Sequence, residues 1–182
     1  MRKFLFALLT SLALAQGGAV LAEDAPRPAK FAKPLEAPGL SNFHEVTPQI
    51  FRSAQPLPEG FQQLEKRGIR TVISLRDDGA DDDWAAGTKL KLVRVPMGFD
   101  KIDDASIAQV LALLRKKEEG PFLIHCQMGA DRTGMIMALW RITEQGWSRE
   151  DALAEARACG LLIESFATYV AQVDLGKLRA AK

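Results

Sequence analysis

Apolar positions along this chain fall into runs whose spacing changes from segment to segment. A run from Phe4 to Ala15, broken only by Thr10 and Ser11, follows the basic pair Arg2 and Lys3. From Glu23 to Gly39 the pattern disappears. Pro26, Pro28, Pro34 and Pro38 stand there among Ala and Lys, predicting an extended or disordered leader with little capacity to pack. Periodic structure starts near Leu40. Ile50-Phe51-Arg52 reads as a short strand, Phe61 to Arg67 as a helix ending at Gly68, and the β-branched run Thr71-Val72-Ile73-Ser74-Leu75 as a strand. Asp77, Asp78, Asp81, Asp82 and Asp83, with Gly79, predict an exposed acidic loop. Leu90 to Val95 alternates polar with apolar residues and stops at Pro96, as a strand would.

Ile102 to Lys117 carries helical spacing at Ile107, Val110, Leu111 and Leu114, with Asp103 or Asp104 as a cap. Phe122-Leu123-Ile124, opened by Gly120-Pro121, predicts a buried strand. Met135 to Trp140 is apolar on every face, as a central helix requires. Two further helices are expected, Ser148 to Ala158 and Ile163 to about Arg179. Strands alternating with helices give an α/β architecture around a small central sheet. There is no internal repeat and no second linker. The expected organisation is therefore a leader-bearing single domain, with segments 1–22, 23–39 and 40–180.

Composition narrows the class. The 182 residues hold 24 Lys+Arg against 23 Asp+Glu, 47% hydrophobic and 26% charged side chains, and two cysteines. These are globular values, without the basic excess of a nucleic-acid binder or the cysteine density of a disulfide scaffold. The N-terminal run changes this balance. A basic pair, a short apolar stretch and the small residues of Val20-Leu21-Ala22 form the signature of a secretory signal, with Glu23 as the first mature residue. The apolar run is too short to span a bilayer comfortably. Cleavage removes Arg2 and Lys3 and no acid, leaving 22 basic against 23 acidic side chains in 160 residues. The expected location is periplasmic or secreted, with no stable membrane insertion.

The chemistry lies in His125-Cys126-Gln127-Met128-Gly129-Ala130-Asp131-Arg132-Thr133-Gly134. A Cys follows a strand, five residues intervene, and an Arg precedes a buried helix. That spacing suits a loop whose backbone N–H groups, from Gln127 to Arg132, converge on one anion at a helix N-terminus. Gly129 permits close approach or positive φ, and Gly134 lets the helix pack tightly. The positive field of the amides and Arg132 favours a thiolate at Cys126, whose free pKa is ~8.5. Arg132 offers a planar fork for two phosphate oxygens. The Thr133 hydroxyl can donate to the sulfur.

The segment Cys126-x5-Arg132-Thr133-Gly134 resembles the signature loop of cysteine-dependent protein tyrosine and dual-specificity phosphatases. The wider chain, from about Phe51 to Gly160, resembles their bacterial secreted or periplasmic branch. The stretches carrying that likeness are Phe51-Arg52-Ser53-Ala54, Thr71-Val72-Ile73-Ser74, Val95-Pro96 with Asp100-x-x-Asp103-Asp104, and Gln145-Gly146-Trp147. The resemblance implies a mostly parallel sheet and a metal-independent, cofactor-free, two-step reaction. In it Cys126 is the nucleophile through a phosphocysteine, Arg132 and the loop amides bind the phosphoryl group, and an Asp serves as acid and then base. Asp100, after the strand Leu90 to Val95, fits the family's acid; Asp103 and Asp104 are alternatives that also suit helix caps. His125 is expected to orient the loop and tune Cys126. Arg76 either reaches substrate or pairs with the acidic run.

Asp131 places a negative charge in the loop, which opposes multiply phosphorylated ligands. The expected partner is a phosphorylated protein or peptide, or a small phosphomonoester, with phosphotyrosine ahead of phosphoserine and phosphothreonine. Cys159 reads either as a packing thiol or as a disulfide partner protecting Cys126. Two other functions fit a strand–loop–helix Cys less well. A rhodanese-like sulfurtransferase lacks the Arg-Thr-Gly ending, and a phosphate-dependent binding module would normally lose Cys, Arg or the acid.

Overall fold

The computed structural model describes residues 27–99 and 102–179. The expected signal segment 1–22 and Asp100 lie outside the described residues. A six-stranded sheet forms the centre, comprising β1 (Lys33–Pro34), β2 (His44–Thr47), β3 (Ile50–Ser53), β4 (Thr71–Ser74), β5 (Lys91–Arg94) and β6 (Phe122–His125). Their spatial order is β1-β2-β3-β6-β4-β5. The four strands from β3 to β5 run parallel, and β1 and β2 add an antiparallel edge.

The apolar runs of β3, β4 and β6 are buried on both faces, as parallel strands covered by helices must be. Alternate residues serve different cores. Ile50, Ile73, Phe122 and Ile124 face the larger one, whereas Phe51, Val72 and Leu123 face the smaller one. The smaller core is closed by α1 (Pro58–Lys66), which buries Phe61 and Leu64. The larger is closed by α3 (Asp104–Arg115), α4 (Asp131–Gln145), α5 (Arg149–Ala158) and α6 (Glu164–Gln172). From Met135 to Leu139 no residue of α4 is more than 1% exposed, as its uniform apolarity requires. Gly134 brings α4 against α5: a Cβ there would stand 3.3 Å from Leu161 Cβ and 3.6 Å from Ala156 Cβ.

Three expectations need correction. First, residues 27–39 do pack. Ala32 is buried, its N–H donates to Glu155 Oε1 at 2.6 Å, and β1 pairs with β2. The prolines keep the segment extended, and an extended segment can join a sheet as an edge strand. Second, the acidic run is not wholly an exposed loop. It forms α2 (Ala80–Trp84), in which Asp81 is 4% exposed. Trp84 and Ala85 anchor this turn on the smaller core. Third, the last helix is two. It breaks at Val173, and Asp174 starts α7 (Leu175–Arg179) by accepting the Gly176 N–H on Oδ1 at 2.9 Å. No helix among the described residues is long and apolar enough to cross a membrane.

Candidate active site

Cys126 follows β6 directly and is 3% exposed; the loop from Gln127 to Ala130 then turns into α4. Gly129 has φ +64°, and a Cβ there would lie 2.3 Å from Ser53 O. A side chain has no room at this close approach to β3.

The loop carbonyls are taken up one after another. His125 Nδ1 lies 3.3 Å from Cys126 O. The Gln55 N–H donates to Gln127 O at 3.1 Å, and Asn42 Nδ2 donates to Met128 O at 3.1 Å. Arg52 Nη2 donates to Gly129 O, and the Gly134 N–H donates to Ala130 O at 2.7 Å. A trans peptide points its C=O and N–H in opposite directions. Carbonyls held from outside therefore turn the next residues' N–H groups the other way. Those of residues 127–130 meet no acceptor among the described residues. Such a row of unspent donors at a helix start is suited to an anion.

Arg132 is 5% exposed and closes the ring. Its Nη1 donates to Leu75 O at 3.2 Å and Met97 O at 3.1 Å, which fixes the guanidinium between the ends of β4 and β5. Its Nε is buried without a partner among the described residues, leaving a donor for an incoming anion. The Phe99 ring lies against the guanidinium, 4.2 Å from centroid to Cζ. Residues just before Asp100 are thus packed on Arg132. Arg132 also lines a pocket of about 540 Å³ with Arg76, Asp78, Met97, Phe99 and Gln127. Cys126 is not part of that pocket's wall.

The other expected residues divide. His125 is fully buried, and its Nε2 lies 3.1 Å from Asp81 Oδ2, so it stands behind the loop. Burial pushes the Asp81 carboxyl up, but hydrogen bonds and charge from His125, with further bonds from Gln55 and Ser74, hold it below the ordinary range. Thr133 Oγ1 is buried with no partner among the described residues, so the bond expected toward Cys126 is not made. The Asp131 carboxylate accepts from the Leu162 and Ile163 N–H groups, both at 2.8 Å, and is a structural tie to the start of α6. Arg76 pairs with Asp78 and also donates to Gln127 Oε1. Asp103 caps α3 through the Ser106 N–H at 2.9 Å, while Asp104 accepts from Tyr169 Oη at 2.7 Å. Cys126 and Cys159 are both free thiols.

Asn42, Gln55 and Asp81 were not foreseen as members of this assembly. Asp81 had a signal in the apolar residues at Ala80, Trp84 and Ala85, which frame it as a helical turn. Asn42 and Gln55 had none, since their partners are loop carbonyls far along the chain.

Comparison with known proteins agrees with this geometry. The family described as "DSP-PTPase phosphatase fused to NAD+ Kinase" matches residues 36–169. The chain belongs to the DSP-PTPase family. Among DSP-PTPase relatives, the dual specificity protein phosphatase TpbA of Pseudomonas aeruginosa is 34% identical over 189 residues, covering 100% of this chain and 84% of that protein. A crystal structure of TpbA matches with a TM-score of 0.75 at 31% identity, covering 84% of this chain and 96% of that one. A second TpbA structure, a cysteine-to-serine variant in complex with phosphotyrosine, matches equally well at 30% identity, covering 85% and 97%. The catalytic core of the S. cerevisiae PP-IP phosphatase SIW14 shares the fold at 23% identity, with a TM-score of 0.69 and coverage of 76% and 89%. The sulfurtransferase reading has no support in these DSP-PTPase matches.

Proposed function

We propose that this chain hydrolyses phosphotyrosine in proteins or peptides through a phosphocysteine intermediate. The observation that carries the reading is the row of loop amides turned away from their anchored carbonyls, beside the unspent Nε of Arg132. Such a cradle fits the three equatorial oxygens of a transferring phosphoryl group. The Cys126 thiolate attacks phosphorus in line, an S–P bond forms, and the ester P–O bond breaks. Asp100 gives its proton to the leaving oxygen. Its carboxylate then takes a proton from water, whose oxygen attacks phosphorus. The S–P bond breaks, phosphate departs and the thiolate is restored. Amides and Arg132 stabilise the charge throughout, so a chelator is expected to leave turnover unchanged.

A protein substrate is supported by the mouth of the site. Exposed Leu57, Met128 and Leu162 line a groove of about 1000 Å³ that shares Arg76, Gln127 and Met128 with the pocket over Arg132. Exposed Phe99 also lines that pocket. Apolar surface gathered at one place marks contact with another molecule. The phosphotyrosine bound in the TpbA structure agrees in substrate class. Export by residues 1–22 would place the activity in the periplasm or outside the cell.

The deciding experiment is hydrolysis of p-nitrophenyl phosphate and a phosphotyrosine peptide by residues 23–182, compared with Cys126→Ser. Loss of all turnover in the variant is expected. Activity that survives the substitution overturns the mechanism. N-terminal sequencing of the exported chain should begin at Glu23.

A further inference from the structure

Arg52 is 0% exposed, yet its hydrogen bonding among the described residues is a single donation from Nη2 to Gly129 O. Nε and Nη1 are buried without partners among the described residues. A guanidinium has five N–H donors, and burying it with most unspent is costly unless an opposite charge lies near. Burial lowers the pKa of the Arg52 guanidinium, opposed by Cys159, Glu155 and Cys126 in that order. Glu155 is committed elsewhere: both its oxygens bind Arg141, and one also accepts the Ala32 N–H. In the parallel pairing of β3 with β6, Arg52 stands beside Ile124, two residues before Cys126.

We propose that Arg52 is a positioning residue of the phosphatase reaction, acting from behind the anion loop. By holding Gly129 O it turns the Ala130 N–H toward the phosphoryl group. The inference rests on the phosphatase reading.

A purely structural role makes a different forecast. Replacing a buried charge by an apolar side chain of similar volume is often neutral or stabilising. Arg52→Met should therefore fold, with a melting temperature near or above that of the parent, and still be impaired. The test follows iodoacetamide alkylation of Cys126, read on its own peptide by mass spectrometry, with and without inorganic phosphate. In Arg52→Met, protection by phosphate should need ~10-fold more ligand, and kcat/KM should fall ~100-fold. Arg52→Lys keeps the charge and gives up the fork, so phosphate protection should stay weak. A folded Arg52→Met with parental phosphate protection overturns the proposal. If that variant does not fold, parental phosphate protection in Arg52→Lys overturns it instead. Alkylation and protection need no turnover. A parent chain inert toward p-nitrophenyl phosphate sinks the phosphatase reading separately.

Discussion

His125 Nε2 and Asp81 Oδ2 lie 3.1 Å apart, joining the strand before Cys126 to a short helix in the acidic segment. The other ring nitrogen faces Cys126 O. Asp81 also accepts from Gln55 Nε2 at 2.6 Å, and Gln55 supports the next loop carbonyl through its N–H. One carboxylate thus orders two residues that shape the loop. Asp81→Asn is expected to keep the fold and lower kcat/KM several-fold, as steady-state kinetics would read.

The same carboxyl sets a pH dependence. Its folded-state value lies below the ordinary one, so its stabilising contribution is fully present above the unfolded value of about 3.9. That contribution is lost as pH falls through the lower folded value. Urea unfolding between pH 6 and acid conditions should show this loss in the parent chain and a shallower loss in Asp81→Asn.

Asp100→Asn should slow the reaction most where the leaving oxygen needs a proton most. A phosphotyrosine peptide is expected to lose ~100-fold or more in kcat, and p-nitrophenyl phosphate, with its better leaving group, less. Equal losses with both substrates would move the acid to another residue.

Much of this was legible in the sequence. The strands β3 to β6 and helix α4 follow from β-branched runs and uniform apolarity, because their burial on both sides leaves no room for polar residues. The spacing from Cys126 to Arg132 marked the loop. What the sequence hid depends on distant partners. Charge in 77–83 suggested solvent, but a buried histidine provides a place for one of those acids. Prolines in 27–39 suggested a free leader, but Glu155 and β2 offered acceptors and donors that an extended backbone can meet. Asp131 looked like part of the anion cradle, while two amides at the start of α6 claim its side chain.

Gly129→Ala should be costly for a reason unrelated to helix or strand preference. Positive φ and a Cβ placed 2.3 Å from Ser53 O require the loop to move. A stability loss of about 1–3 kcal/mol is expected. Displacing the amides by an ångström should cost ~100-fold in kcat/KM, measurable with p-nitrophenyl phosphate.

Glu155→Ala removes the acid from a buried pair. Arg141 Nη2 lies 2.6 Å from Oε1 and Nε lies 2.9 Å from Oε2, with both residues under 5% exposed. Leaving the guanidinium uncompensated should destabilise the chain by about 3–5 kcal/mol, read from denaturant unfolding. The Ala32 N–H loses its acceptor at the same time. Protease cleavage within residues 27–34 should accordingly speed up.

The supports of the anion loop come from residues 42–55, and the loop itself from residues 126–132. Arg52 reaches across 77 residues to Gly129, and Asn42 across 86 to Met128. Contacts this remote in sequence form late, after the chain between them has closed. A partly folded chain therefore lacks the ordered row of loop amides. The anion cradle is a product of the finished tertiary structure, so protection of Cys126 by phosphate can be used to time the last step of folding.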